Sequence, residues 1–200
     1  MNLGNIRIHF KALLNRSDIT DALADTFIDQ GIARVQRSLR IPSMEKQYNY
    51  SITSPTTSVV LPNDFLEAIS LYFDGRQLAK VTLPEILERQ QNGEQGSPLY
   101  FCRQGGTYLI SPSPSSGTLS LDYYAQFIDM TADSDENILA QVASDLIIYA
   151  ALTYASDYYI DERSPVFEGK FTQFMAEIQE QSNDAETSGN MQTIRPSYQL

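Results

Sequence analysis

The chain has 200 residues, of which 42% are hydrophobic and 20% charged, with 12 tyrosines and no tryptophan. This is ordinary globular composition, and the length is sufficient for one domain with its own core or for two small lobes. The formal net charge is −11, and residues 101–200 hold only four basic side chains against 14 acidic ones, which argues against sequence-specific DNA binding through basic patches.

Two helices are predicted at the start of the chain. Residues 5–14 form a short amphipathic helix, and Ser17 is expected to cap a second helix that runs to about Arg40. In the second helix the aspartates lie early, and Arg34, Arg37 and Arg40 lie late, an order that complements the helix dipole. The same order separates charge along the helix in a way that a neighbouring subunit could match.

From residue 45 the hydrophobic period changes to two, which indicates β strands. Strands are predicted over residues 46–52, 58–61, 68–73, 76–81, 99–103, 107–111 and 118–126. Asp74 and Gly75 form a two-residue turn that requires positive φ, so the third and fourth of these strands are predicted to form a hairpin. With a short helix over residues 84–91, we expect an antiparallel meander of about six or seven strands.

Residues 137–160 are apolar around most of the helical circumference, and they are predicted to form one buried helix capped by Asn137. The segment has about the length of a membrane span, but polar residues such as Asp145 interrupt it. We therefore expect the central helix of a bundle and no membrane association. A further helix is predicted to begin at Ser164. Its apolar face comprises Val166, Phe167, Phe171, Phe174, Met175 and Ile178.

Helices at both ends of the chain thus flank a β insertion, and the predicted fold class is α+β. Residues 1–44 and 130–182 are expected to form a helical bundle. Residues 45–129 are expected to form an inserted antiparallel β-meander domain with one short helix. Residues 183–200 are polar with scattered apolar side chains, so we predict an extended C-terminal tail.

The sequence predicts no catalytic, cofactor-binding or metal-binding residues and no cofactor. It contains no GxSxG, P-loop, GxGxxG or CxxC pattern. Cys102 lies within a predicted strand and is expected to be a small buried hydrophobe, and His9 a solvated or interface residue. Four aspartates share part of the second helix and could hold Mg²⁺ or Ca²⁺, but helical spacing presents carboxylates in a row rather than around an ion. They are Asp18, Asp21, Asp25 and Asp29.

Five segments between residues 15 and 180 occur in a characteristic order, followed by the closing helices. They are 32–42 (IARVQRSLRIP), 61–66 (LPNDFL), 71–75 (LYFDG), 108–114 (YLISPSP) and 119–124 (LSLDYY). In this order the set resembles the head-to-tail adaptor (connector or tail accessory factor) proteins of short-tailed bacteriophages.

The resemblance implies a structural virion protein of the neck and tail, assembled in the host cytoplasm, with no enzymatic activity. It implies a ring of 12 copies beneath the portal, with a helical part that contacts the portal and a β part that contacts the tail or nozzle protein. DNA would pass through without sequence-specific binding, because a ring that multiplies −11 per copy presents like charge to phosphate.

Contacts with the portal or with neighbouring subunits are expected at arginines and tyrosines of the helices and at apolar residues of the tail. They are Arg34, Arg37, Arg40, Tyr149, Tyr154, Tyr158, Met191, Ile194, Tyr198 and Leu200. The helix 137–160 is the expected ring-forming element, because its tyrosines lie on several faces. Two alternatives stay open: a tail-associated cell-wall hydrolase with a convergent acid/base site, and a non-viral protein-binding module.

Overall fold

The computed structural model describes residues 1–187, and it confirms the predicted α+β class. One compact unit combines Met1–Pro42 with Ile128–Leu200, and the other is Ser43–Phe127. The helices are α1 (Leu3–Leu14), α2 (Asp21–Ser38), α3 (Leu83–Gln91), α4 (Ile138–Val142), α5 (Ser144–Tyr159) and α6 (Ser164–Thr187), and a short 3-10 turn spans Pro42–Met44. None of the helices within residues 1–187 is long and apolar enough to cross a membrane.

The first unit, hereafter the helical unit, begins with α1 and α2, whose caps come from polar side chains. Asn2 accepts a hydrogen bond from the backbone N–H of Asn5 at 3.0 Å and caps α1. The expectation that Ser17 caps α2 is wrong, because Thr20 does so by accepting from Leu23 N–H at 3.2 Å. Thr20 has the extended backbone of an N-cap, so the helix starts at Asp21.

The helices α2 and α5 cross closely at a glycine. A Cβ atom on Gly31 would lie 2.8 Å from the backbone nitrogen of Ala151 and 3.2 Å from the Cβ of Ala150. Both alanines are fully buried. Only the absence of a side chain at position 31 allows the two backbones to approach to this distance.

The prediction of one continuous helix over residues 137–160 is wrong, because the helix breaks at Ala143. This residue has φ −145° and ψ 55° and separates α4 from α5. Asn137 does cap α4, as expected: its Oδ1 accepts from Ala140 N–H at 2.8 Å, while its amide donates to the carbonyl of Ile128 at 3.0 Å. In one continuous helix, Val142 and Leu146 would lie on the same face. Because of the break, Val142 is 55% exposed while Leu146 is fully buried.

The helix α6 starts at Ser164, as predicted, and continues to Thr187. Phe167 and Phe171 are buried, whereas Val166, predicted to share their face, is 58% exposed. Residues 183–187 of the predicted tail are therefore helical, and the rest of that tail lies outside the described residues.

The second unit, hereafter the β unit, contains two four-stranded sheets with the orders β1-β8-β3-β4 and β2-β7-β6-β5. The strands are β1 (Glu45–Ile52), β2 (Ser58–Val60), β3 (Phe65–Phe73), β4 (Arg76–Gln77), β5 (Ala79–Lys80), β6 (Tyr100–Gln104), β7 (Thr107–Ser111) and β8 (Gly117–Ala125). Neighbouring strands are antiparallel except β5 and β6, which are parallel. The antiparallel character expected from the sequence is thus present, divided between two sheets.

The predicted hairpin turn is confirmed, since Asp74 and Gly75 have φ angles of 45° and 82° and join β3 to β4. The chain then changes sheets: Leu78 N–H donates back to the carbonyl of Leu71 at 2.8 Å, and β5 pairs with β6 of the other sheet. Buried leucines such as Leu119 and Leu121 belong to the main core of this unit.

On the second sheet, α3 contributes the fully buried Ile86 to a smaller cluster with Cys102 and Leu109. Cys102 is 7% exposed, which confirms its expected role as a small buried hydrophobe.

The close crossing of α2 and α5 gives a direct test. We expect Gly31→Ala to lower the free energy of unfolding by about 1–3 kcal/mol, because the added methyl group meets a backbone rather than a flexible side chain. The matched control is Gly169→Ala in α6, where a Cβ has no neighbour within 4 Å and better helix propensity should add about 0.5–1 kcal/mol. Urea unfolding of both variants measures the difference, and equal effects at the two positions would contradict the close crossing.

Candidate interaction surfaces

Arg34, one of the predicted binding residues, lies where α2 packs against α5 and α6. Arg34 donates two hydrogen bonds to the Glu168 carboxylate, at 2.5 and 2.9 Å, and one to the hydroxyl of Thr153 at 2.9 Å. Its guanidinium carbon lies 4.0 Å from the centre of the Phe171 ring. The hydrogen bond from Arg34 lowers the pKa of Glu168. Arg34 therefore has a fixed position within the helical unit, with its charge balanced locally.

The next two arginines of α2 have different surroundings. Arg37 is exposed and donates to the hydroxyl of Tyr154 at 3.0 Å. Arg40 donates to the carbonyls of Gln36 and Leu39, at 3.0 and 2.7 Å. These carbonyls belong to the last turn of α2, where backbone acceptors lack helical partners and the dipole favours a cation. Arg40 thus stabilises the end of the helix, while Arg37 stays at the surface.

The two other predicted tyrosines of α5 differ in exposure. Tyr149 is half-buried: its hydroxyl accepts a hydrogen bond from Lys170 at 3.1 Å, and its ring centre lies 5.4 Å from that of Phe174. Tyr158 is 63% exposed, although one edge packs on Phe27 with ring centres 5.7 Å apart. Tyr158 therefore offers more aromatic area to a partner than Tyr149 does.

The structure brings part of the predicted set together and leaves part of it apart. Arg34, Tyr154 and Glu168 line one cleft of about 520 Å³ between the helices, with Arg37 beside it through Tyr154. Asp157 also lines the cleft, although it is not among the binding residues predicted from the sequence. The remaining predicted residues Met191, Ile194, Tyr198 and Leu200 lie outside the described residues.

The aspartates singled out for possible metal binding are mostly used in ion pairs. Their partners come from α1 and the following loop: Asp18 pairs with Arg16 at 2.8 Å, Asp21 with Lys11, and Asp25 with Arg7 at 2.6 Å. Within residues 1–187, no group of three or more His, Cys, Asp or Glu side chains has the arrangement of a metal site. Asp21 and Asp25 therefore fasten α1 to α2. The expectation that Asp18 shares this helix is wrong, because α2 begins at Asp21 and Asp18 pairs with Arg16 within the preceding loop.

A second surface lies in the β unit, where β1 and β2 are edge strands of the two sheets. A cleft of about 660 Å³ is lined by residues of both strands, including Tyr48, Tyr50 and Val60. Tyr50 donates to the carbonyl of Val60 at 2.7 Å, and the rings of Tyr48 and Tyr50 are 4.8 Å apart. Val60 is 71% exposed. The sequence shows the alternation of Tyr48 and Tyr50, but it does not predict that their strand lies at the edge of a sheet.

Burial raises the pKa of several phenols in this unit, among them Tyr108, and the shift is large for two others. It raises the pKa of Tyr50 to about 12. It also raises the pKa of Tyr123 to about 12, with a further contribution from the hydrogen bond that Tyr123 donates to Asp64 at 2.9 Å. Both phenols therefore stay neutral over the whole physiological range.

The chain combines helices from both of its ends with an inserted two-sheet unit, which is an α+β arrangement. Its exposed aromatic and charged clefts are typical of a protein that binds other proteins. The SU10 adaptor protein family model matches residues 1–195, and the chain belongs to this family. This confirms the resemblance to bacteriophage head-to-tail adaptors and identifies a structural protein of the virion. No curated protein matches the chain.

The raised tyrosine pKa values predict how the β unit responds to alkali. The folded state holds both phenols neutral up to a pKa of about 12, whereas in the unfolded chain they ionise near pH 10. Their contribution to stability is therefore complete below about pH 10 and is lost as the pH rises towards 12. We expect Tyr50→Phe to make unfolding less dependent on pH in this range. Denaturant unfolding at a series of pH values measures this dependence, and identical slopes for wild type and Tyr50→Phe would contradict the prediction.

Proposed function

We propose that the protein forms a ring of 12 copies beneath the portal, joins the portal to the tail or nozzle protein, and continues the channel for DNA. The observation that carries this proposal is the match of the adaptor family over residues 1–195. The same match favours a structural role over a cell-wall hydrolase or a non-viral binding module. Assembly in the host cytoplasm and a final location in the virion neck belong to the proposal.

Charge supports the passage of DNA. Each copy has a net charge of −11, and most of the excess lies in residues 101–200. Affinity for DNA comes chiefly from cations that neutralise phosphates. A ring with this charge therefore has little tendency to hold the DNA that moves through it.

The helical unit is proposed to contact the portal and neighbouring copies, and the β unit to contact the tail. Much of α5 is buried within its own chain, including Leu146, Ile147 and Ala151. The contacts between copies therefore fall to its partly exposed residues, Tyr154 and Tyr158, and to the exposed Arg37 of α2. The cleft between β1 and β2, with its two tyrosines, is the proposed contact for the tail protein.

A ring of 12 copies has a mass that distinguishes it from a monomer or dimer. Native mass spectrometry of the full chain, alone and mixed with the portal protein, should give a species roughly 12 times the 22.5 kDa of one copy. Electron microscopy of the mixture should show this ring on one end of the portal. A monomer or dimer under both conditions would overturn the proposal.

The C-terminal tail is proposed to anchor the ring through its apolar residues, Met191, Ile194, Tyr198 and Leu200. Deletion of residues 188–200 keeps the whole of α6 and should weaken attachment to the portal, because sparse apolar anchors add binding area at a partner. A variant with a Gly/Ser segment of equal length is the control for tail length. Pull-down by portal measures attachment, and circular dichroism checks the fold. Unchanged attachment of the deletion variant would remove the tail from the proposal.

A further inference from the structure

Asp29 differs from the other three aspartates predicted to lie together at the start of the chain, of which Asp21 and Asp25 are on α2 and Asp18 precedes it. Asp18, Asp21 and Asp25 each have a basic partner. Asp29 forms no ion pair with any side chain in residues 1–187. One carboxylate of α2 is thus left without a cation, while Asp21 and Asp25 on the same helix are paired.

Asp29 lies at a cleft of about 340 Å³ between α2 and residues 128–131. A second carboxylate, that of Asp129, also lines the cleft. Its other walls are partly apolar, with Ile128 73% exposed beside the more buried Ile32 and Met130, and partly polar, with Gln36 and Thr131. The cleft therefore combines apolar surface with two negative charges.

These surroundings disfavour the charged form of Asp29. Asp29 is exposed at the surface of the unit, but desolvation within the cleft raises the pKa of its carboxyl, and the negative charges of Asp25 and Asp129 raise it further. A cation placed in the cleft would favour the charged form, because it supplies the opposite charge that the carboxylates lack.

The chemistry of the walls indicates which cation fits. Hard metal ions such as Ca²⁺ take six to eight oxygen ligands, whereas the side chains of this cleft offer two carboxylates, one amide (Gln36) and one hydroxyl (Thr131) among apolar neighbours. An arginine side chain has an apolar stem and a planar charged head that binds carboxylates through paired hydrogen bonds. The cleft is suited to an arginine from another chain.

Arg37 is the arginine of α2 that can supply this charge. Arg34 is held by Glu168, and Arg40 by carbonyls at the end of α2. Arg37 is exposed, and its hydrogen bond within residues 1–187 goes to a neutral hydroxyl, that of Tyr154. This contact keeps Arg37 beside α5, whereas Asp29 lies beside residues 128–131.

We propose that the cleft at Asp29 and Asp129 of one copy binds Arg37 of the next copy, in a head-to-tail contact repeated around the assembly. Two different surfaces of each copy meet in such a contact, which is the arrangement that closes into rings. The inference rests on the proposed ring and adds the residues that join its copies.

Charge reversal tests the contact. Asp29→Arg and Arg37→Asp should each weaken self-association at least tenfold, because each places like charges opposite one another. An equimolar mixture of the two variants should assemble again, since alternating copies restore an Arg–Asp pair at every contact. The double variant Asp29→Arg/Arg37→Asp should also assemble. Native mass spectrometry, with portal present if the wild type needs it, should show equal numbers of the two variants in mixed rings.

Two controls make the same charge changes elsewhere in the helical unit. Glu162→Arg reverses an exposed carboxylate, and Lys170→Asp reverses a cation that, like Arg37, bonds to a tyrosine hydroxyl. Each control variant should assemble on its own, without a second variant in the mixture. Asp29→Asn adds a readout that a structural role would not produce: its thermal midpoint should equal or exceed that of wild type, while its self-association falls.

The outcomes separate the two proposals. If wild type forms rings that the reversals leave intact, or if mixing restores nothing, the contact at Asp29 is overturned and the ring stands. If Asp29→Asn assembles as well as wild type, the contact is overturned too. If wild type stays a single copy even with portal, the proposed ring is overturned together with the contact.

Discussion

The helical unit depends on the close crossing of α2 and α5 at Gly31. Because a Cβ at this position would lie 2.8 Å from the nitrogen of Ala151, the side chains that flank the crossing can reach one another. Arg34 reaches both Thr153 on α5 and Glu168 on α6. Arg37 reaches Tyr154 by the same approach. A wider crossing would separate these pairs, so the polar surface of the unit follows from a backbone constraint in its core.

The crossing also explains why α5 is a core helix within one chain. Its apolar surface is covered by α1, α2 and α6 of its own unit, and Leu146, Ile147 and Leu152 are fully buried. An apolar surface on all sides is equally suited to a helix buried between subunits. For this reason the sequence alone predicts a helix that joins subunits. The structure leaves Tyr158 and the flanks of α2 as surfaces on which copies can meet.

Local signals in the sequence predicted local features well. The turn at Asp74, the cap at Asn137 and the burial of Cys102 each follow from a few neighbouring residues. The break at Ala143 was not predictable in this way, because alanine is the strongest helix former and the apolar period continues through it. The parallel pairing joins the two-residue strand β5 to β6, about twenty residues further along the chain, and no periodicity in the sequence predicts it. The cleft at Asp29 depends on residues 128–131 returning to α2, a contact across about a hundred residues of chain.

The distribution of charge sets a condition on assembly. Within residues 1–187, cations of the helical unit form ion pairs inside their own copy, so they do little to offset a neighbour's negative charge. They include the N-terminal ammonium of Met1, Arg7, Lys11, Arg16, Arg34 and Arg163. Copies with a net charge of −11 therefore repel one another at long range. Salt screens this repulsion beyond about 8 Å at physiological ionic strength but weakens a partly desolvated contact much less. Association of such copies is thus favoured by a few short-range contacts that combine apolar area with one well-placed cation.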